Sequence, residues 1–200
     1  MMNLIYHVKD FVKKEGGMRV SREQAAKNRE HVVDTAARLF RERGYDGIGV
    51  ADLMKEAGLT HGGFYGNFAS KEQLMAEACA RAFGSAAERW ATMVARDGDG
   101  AMASIADAYL SKLHVEHPGA GCAVAALGAD AARLAPPVRA AMTQGGASQI
   151  DLMSSLQGGA RAKAIADYAA MVGALVLARA VDDADLSDEI LKTVRASLAL

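Results

Sequence analysis

Proline is nearly absent, at three in 200 residues, and cysteine is scarcer still, at two. Cys79 and Cys122 are too few for a disulfide framework or a zinc site, so a reducing, cytoplasmic setting is expected, with no metal and no cofactor. Aromatic residues make up only 6% of the chain. Neither sign of charge dominates: the formal net charge is -1, which excludes a uniformly basic, histone-like binder of nucleic acid. No apolar run approaches the ~20 residues that a membrane span needs, so no membrane partner is expected. Residues 1–18 interleave charges with apolar side chains. They lack the continuous apolar stretch of a signal peptide, and they read either as an extension ahead of a start at Met18 or as a short amphipathic helix.

What is present favours helix. Half of the residues are hydrophobic (51%), ten of the 200 are methionine, and no segment alternates with period two. Val32, Ala36 and Phe40 recur at four-residue spacing, with Val33, Ala37 and Leu39 beside them. Gly44 follows the basic residues Arg41 and Arg43, a pattern that stops a helix. A short helix fits 50–57 and is ended by Gly58. Thr60 then caps a second short helix through about residue 67. Ser70 with Gln73 forms a capping box for a helix reaching about residue 95. Further helices are expected over 102–115, 122–134, 136–156, 160–181 and 187–198, with the Pro136-Pro137 pair at a helix start. The expected fold is all-α with about nine helices and no repeat. It comprises an extension over 1–21, a helix-turn-helix unit over 22–69, and a helical ligand-binding and dimerisation domain over 70–200.

Residues 44–71, GYDGIGVADLMKEAGLTHGGFYGNFASK, carry the most specific signal. Two short helices around the turn Ala57-Gly58-Leu59 have the size of a helix-turn-helix, whose second helix enters the DNA major groove. The Gly44-Tyr45 pair, the Ala57-Gly58 turn, Thr60, the small Gly62, the Phe64-Tyr65 pair, Phe68 and Lys71 follow in order. By these residues, about 22–80, the chain resembles the DNA-binding domain of the TetR/AcrR family of bacterial transcriptional regulators. The resemblance implies a ligand-responsive regulator, most commonly a repressor, that binds a palindromic double-stranded operator as a homodimer. It places Thr60, His61 and Gly62 at the groove-facing start of the recognition helix, and Tyr65, Asn67 and Lys71 at phosphates. Gly49 stands where a capping Thr or Ser is usual, Gly66 where a larger residue is frequent, and Asn67 where histidine is frequent. Arg19, Arg22, Lys27 and Arg29 form a basic arm that could reach phosphate or the minor groove.

The second half suits a sensor. Leu186, Ile190, Val194 and Leu198 recur every four residues. Ala169, Val172, Gly173 and Val176 give the preceding helix a small-residue face, and together these suggest a four-helix dimer interface, as in the resembled family. Trp90, Met93, Tyr109, Leu113, His114, Cys122, Met142 and Met153 are candidates for an apolar pocket holding a small organic effector, although for any one of them core packing is the better reading.

The alternative reading is an all-helical small-molecule-binding protein or enzyme without a DNA role. His114 and His117 are three apart, as metal ligands can be, but Pro118 favours a solvated helix end. Gly47-Ile48-Gly49 lacks the preceding strand and third glycine of a nucleotide loop. No catalytic set emerges, and an enzyme is not expected. A DNA-binding protein with no effector is a third reading; it predicts a filled second half.

Overall fold

The protein, described here by a computed structural model over residues 22–198, is all-α and has nine α-helices among the described residues. The extension expected over 1–21, with Arg19 and the Met18 start, lies outside the described residues.

The first helix, α1 (Arg22–Arg43), buries Val32, Val33, Ala36, Leu39 and Phe40 on one face. It stops at Gly44, whose φ of +78° only glycine adopts without strain. Helix α2 (Val50–Glu56) starts at Gly49, which has no side chain to cap it. The end of α2 is a Schellman turn. The Gly58 N–H donates to the Lys55 carbonyl (2.9 Å) and the Leu59 N–H to the Met54 carbonyl (2.8 Å), with Gly58 at φ +68°. The short helix expected over 60–67 is instead a 3₁₀ turn at His61–Gly63 running into further turns. Gly62, Gly63 and Gly66 explain the looseness, since each glycine weakens an α-helix by about 1 kcal/mol relative to alanine. The Thr60 side chain makes no capping bond there.

Helix α3 (Lys71–Asp97) opens on the expected capping box: Ser70 Oγ accepts from the Gln73 N–H at 3.2 Å, while the Gln73 side chain accepts from the Ala69 N–H rather than from Ser70. The helix expected over 102–115 is two, α4 (Ala101–Tyr109) and α5 (Lys112–Glu116). Ser111 breaks it: its hydroxyl donates back to the Ala108 carbonyl and accepts the His114 N–H, which offers the backbone an alternative to continued helix. A 3₁₀ turn, Pro118–Ala120, leads into α6 (Ala123–Ala131), then α7 (Pro136–Leu156), α8 (Arg161–Ala180) and α9 (Ala184–Ser197). Helix α9 begins three residues earlier than expected because Asp183, not a later residue, accepts the free N–H groups of Asp185 and Leu186.

Two cores result. The first joins α1, α2 and the 60–68 segment to Leu74, Met75 and Ala78 of α3, and to Leu127 and Val138. The second is built around Trp90, Ile105, Met153, Met171 and Leu175. Helix α3 contributes to both, so packing is continuous across residues 69 and 70. No described helix is long and apolar enough to cross a membrane.

Candidate functional site

The 60–68 segment is an exposed ridge on a buried footing. Phe64 and Phe68, one helical turn apart, are 1% and 2% exposed, with ring centroids 5.5 Å apart. Between them Tyr65 points outward, 69% exposed, with its ring edge-on to Phe64 and 5.8 Å from the His61 ring. Thr60, His61 and Gly62 are exposed beside it, and a Cβ on Gly62 would meet nothing. The tip thus presents short polar side chains and bare backbone above a fixed aromatic base.

The other residues singled out around this ridge are engaged within the fold. The Lys71 ammonium donates to the Tyr45 carbonyl at 2.7 Å, bracing the chain just past the end of α1. The Asn67 amide donates to the Gly63 carbonyl at 2.7 Å, which holds the loose turn together. Arg29 is no free arm: it pairs with Glu77 at 2.6 Å and lies over the Phe68 ring, 4.8 Å from its centroid. Lys27 pairs with Glu23. Burial of Phe68 requires a cover, and the flat guanidinium supplies it, so Arg29 supports the ridge from behind.

In the second half, six of the eight residues expected to line a pocket do so. Trp90, Met93, Tyr109, Leu113, His114 and Cys122 surround a cavity of about 240 Å³. Met142 and Met153 do not belong to it; Met142 packs against the first core and the Phe83 cluster, and Met153 is buried in the second core. Polar members of the wall, Arg89, His114, His117 and Gln149, include three that were not singled out in the sequence as pocket residues, because isolated polar residues on helices carry no pattern.

His114 is half-buried rather than solvated. Its Nδ1 faces the Tyr109 carbonyl at 2.8 Å, and Nε2 faces the Cys122 N–H at 2.9 Å. Only one tautomer satisfies both: Nδ1–H donates and Nε2 accepts. Burial, reinforced by the Arg179, Arg89 and Arg41 charges, pushes its pKa down to about 4, so the ring is neutral. Among the described residues no group of three or more His, Cys, Asp or Glu could hold a metal.

The turn between α5 and α6 joins this cavity to α1. Arg41 on α1 donates from both Nε (3.0 Å) and a terminal nitrogen to the Gly119 carbonyl. Gly119 has to be glycine, since a Cβ would lie 2.9 Å from Arg38 Cγ and closer to the Glu42 carboxylate. Gly121 is pressed against the His114 ring and Arg179 in the same way. Ala120 and Cys122 of this turn line the cavity, so pocket wall and first helix share one short rigid segment.

Along α8 and α9, Val176, Leu177 and Leu186 are 42%, 56% and 43% exposed, while Val172, Ile190 and Val194 are half-buried against the second core. Leu198 corrects the expected stripe. It is 5% exposed, a core residue like Leu191. A four-residue repeat drifts about 40° per step on a helix of 3.6 residues per turn, so three steps carry Leu198 round to the inner face.

Comparison with known proteins gives a consistent answer. Residues 32–78 match the family model for bacterial regulatory proteins of the tetR family. The chain is 30% identical over 130 residues to the HTH-type transcriptional repressor NemR of Escherichia coli K12, covering 63% of this chain and 65% of that protein. It is 34% identical over 59 residues to the HTH-type transcriptional regulator AcrR of Shigella flexneri, covering 30% of this chain and 27% of that one. The matched region therefore spans less than two thirds of either relative. The reduced form of E. coli NemR superposes with a TM-score of 0.72 at 26% identity, covering 86% of this chain and 95% of the other. A TetR transcriptional regulator from Chloroflexus aurantiacus superposes with 0.73 at 26% identity, over 88% and 96%.

Proposed function

We propose that this chain, which belongs to the TetR/AcrR family of bacterial regulatory proteins, is an effector-controlled transcriptional repressor that binds a palindromic DNA operator as a homodimer. The observation that carries this reading is the ridge of Thr60, His61, Gly62 and Tyr65, exposed above buried Phe64 and Phe68. Short side chains at the tip reach base edges, and the bare Gly62 backbone allows close approach. The Tyr65 hydroxyl meets a phosphate. Lys71 keeps two further N–H donors for a neighbouring phosphate while one holds Tyr45.

One such ridge reads too few bases for specificity, so two are needed, about 34 Å apart on the duplex or a multiple of that. The exposed apolar side chains Val176, Leu177 and Leu186 supply a self-complementary face for the twofold partner. An effector in the cavity acts only through its different affinity for two arrangements of the dimer. The turn carrying Gly119 gives it a lever on α1 and hence on the ridge.

Substitutions at the ridge test the assignment. Tyr65→Phe is expected to weaken binding of all duplexes alike, by about 1 kcal/mol, the net value of one hydrogen bond. His61→Ala is expected to change which operator is preferred, with about 1–3 kcal/mol of discrimination lost at one base pair. Both are read by binding a randomised duplex library and sequencing what is retained. A His61→Ala protein with the wild-type preference and uniformly lower affinity would remove the base-reading role.

A further inference from the structure

The cavity bounded by Trp90 is small, half open to solvent and apolar at its base, with Arg89 at its wall and no carboxylate, and these properties together define what fits. Its volume of about 240 Å³ exceeds the ~150 Å³ of a protein cavity that holds benzene and falls short of the ~300–1,000 Å³ of drug-sized sites. One ring with a substituent fills it. Trp90, Tyr109 and Cys122 are each about 95% buried, and with Met93 they form an apolar floor.

No Asp or Glu lines the cavity, whereas Arg89, His114 and His117 do. Arg89 forms none of the salt bridges among the described residues, and its guanidinium donates to the Ala120 carbonyl at 3.2 Å. Arg41 donates to the Gly119 carbonyl of the turn and Arg179 to the His114 and Val115 carbonyls of α5; neither lines the cavity. Gln149 in the wall is 5% exposed and its amide oxygen accepts the Tyr168 hydroxyl, which leaves the amide nitrogen as the group available to a ligand. A cation would meet the Arg89 guanidinium and no lining carboxylate. A neutral ring would leave the exposed Arg89 guanidinium to the Ala120 carbonyl and water, whereas a carboxylate would pair with it.

We infer that this cavity takes a small one-ring carboxylate, with the ring on Trp90 and Met93 and the carboxylate at the Arg89 guanidinium and the Gln149 amide. The inference rests on reading the second half as an effector-binding domain, and it names the chemical class that domain selects. Guanidinium and carboxylate match geometrically as a bidentate pair, which fixes the ring's direction of entry as well as adding affinity.

The chain contains a single tryptophan, and it lies in this cavity, so its fluorescence reports occupancy without any label. The full-length protein, with no DNA present, is titrated with ring-substituted benzoates, each beside its neutral benzamide and its cationic benzylamine. At least one benzoate is expected to change Trp90 emission saturably and to bind at least about tenfold more tightly than its amide and amine, a difference of ~1.4 kcal/mol. Arg89→Gln is expected to lower that benzoate to the level of its amide while leaving the amide's own affinity unchanged, which also shows that the variant is folded. Equal or tighter binding of the amides or amines, unchanged benzoate affinity in Arg89→Gln, or no saturable response to any benzoate up to about 10 mM would each overturn the inference. Operator binding is measured in separate samples. Its loss there would count against the regulator reading and leave the fluorescence result standing.

Discussion

A single methyl group placed on Gly145 is expected to destabilise the protein by about 3 kcal/mol, at the upper end of the usual cost of overpacking a core. Gly145 lies buried on α7 where that helix crosses Phe83 of α3. A Cβ there would sit 2.6 Å from Phe83 Cδ1 and closer still to Cγ and Cδ2, inside the ring's van der Waals envelope. Phe83 is itself buried, at 6% exposure, so its ring can give way only by leaving its packed position. The neighbouring Gly146 is the control. Its Cβ would meet nothing, so Gly146→Ala should stabilise by the helix-propensity difference of up to about 1 kcal/mol. Urea unfolding of the two alanine variants should therefore shift the midpoint in opposite directions. Adding Phe83→Leu to Gly145→Ala should recover much of the loss, because the two changes share one contact and are not additive. Equal midpoints for Gly145→Ala and Gly146→Ala would contradict the packing described for α3 and α7.

Lowering the pH from about 6.5 to 4 is expected to cost about 3 kcal/mol of stability through His114 alone. The unfolded imidazole titrates near 6.5, whereas the folded one is held down to about 4, by burial first and by the Arg179, Arg89 and Arg41 charges after it. Above pH 6.5 the ring is neutral in both states and nothing is lost. Between the two values the unfolded chain binds a proton that the folded chain refuses, so stability falls as pH falls, and below about 4 the loss is complete. Carboxylates add their own acid dependence, so the quantity to read is the difference between wild type and His114→Gln across this window. The variant should be less stable at pH 7.5, having lost two buried hydrogen bonds, yet flatter between pH 6.5 and 4. Parallel curves would mean that His114 is not held neutral. Because His114 spans Tyr109 and Cys122, both in the cavity wall, the same protonation is expected to loosen the turn that carries Gly119.

How far these features could be read from residues alone depended on whether each had a local cause. Gly44 and Gly58 mark helix ends because backbone geometry demands glycine there, and both were legible. The Ser70 cap, the Pro136 start and the apolar face of α1 likewise depend on neighbours in the chain. The split between α4 and α5 was missed because Ser111 had to be weighed against an otherwise continuous helical pattern. The 60–67 segment reads as helix from a Thr60 cap that the structure does not form, and its three glycines loosen it. Trp90, Met93, Tyr109, Leu113 and Cys122 could be gathered as bulky or polarisable residues in one region. Gln149 and Arg89 could not, since their meaning comes from facing that cavity across four helices. Arg29 and Lys71 have further partners that no local pattern reveals, the Glu77 carboxylate and the Tyr45 carbonyl, because those lie far away in the chain. Leu198 follows from the drift of a four-residue repeat, which a straight stripe conceals.

The central claim is that two ridges, one from each protomer, occupy major grooves on the same side of one duplex. Hydroxyl-radical and guanine-methylation footprints of the full-length protein on a selected palindrome test it directly. The account predicts two protected major-groove blocks centred about 34 Å apart, or a multiple of that, on one face of the helix, with both lost together in Tyr65→Ala. A single protected block, protection confined to the minor groove, or an unchanged footprint in Tyr65→Ala would contradict it.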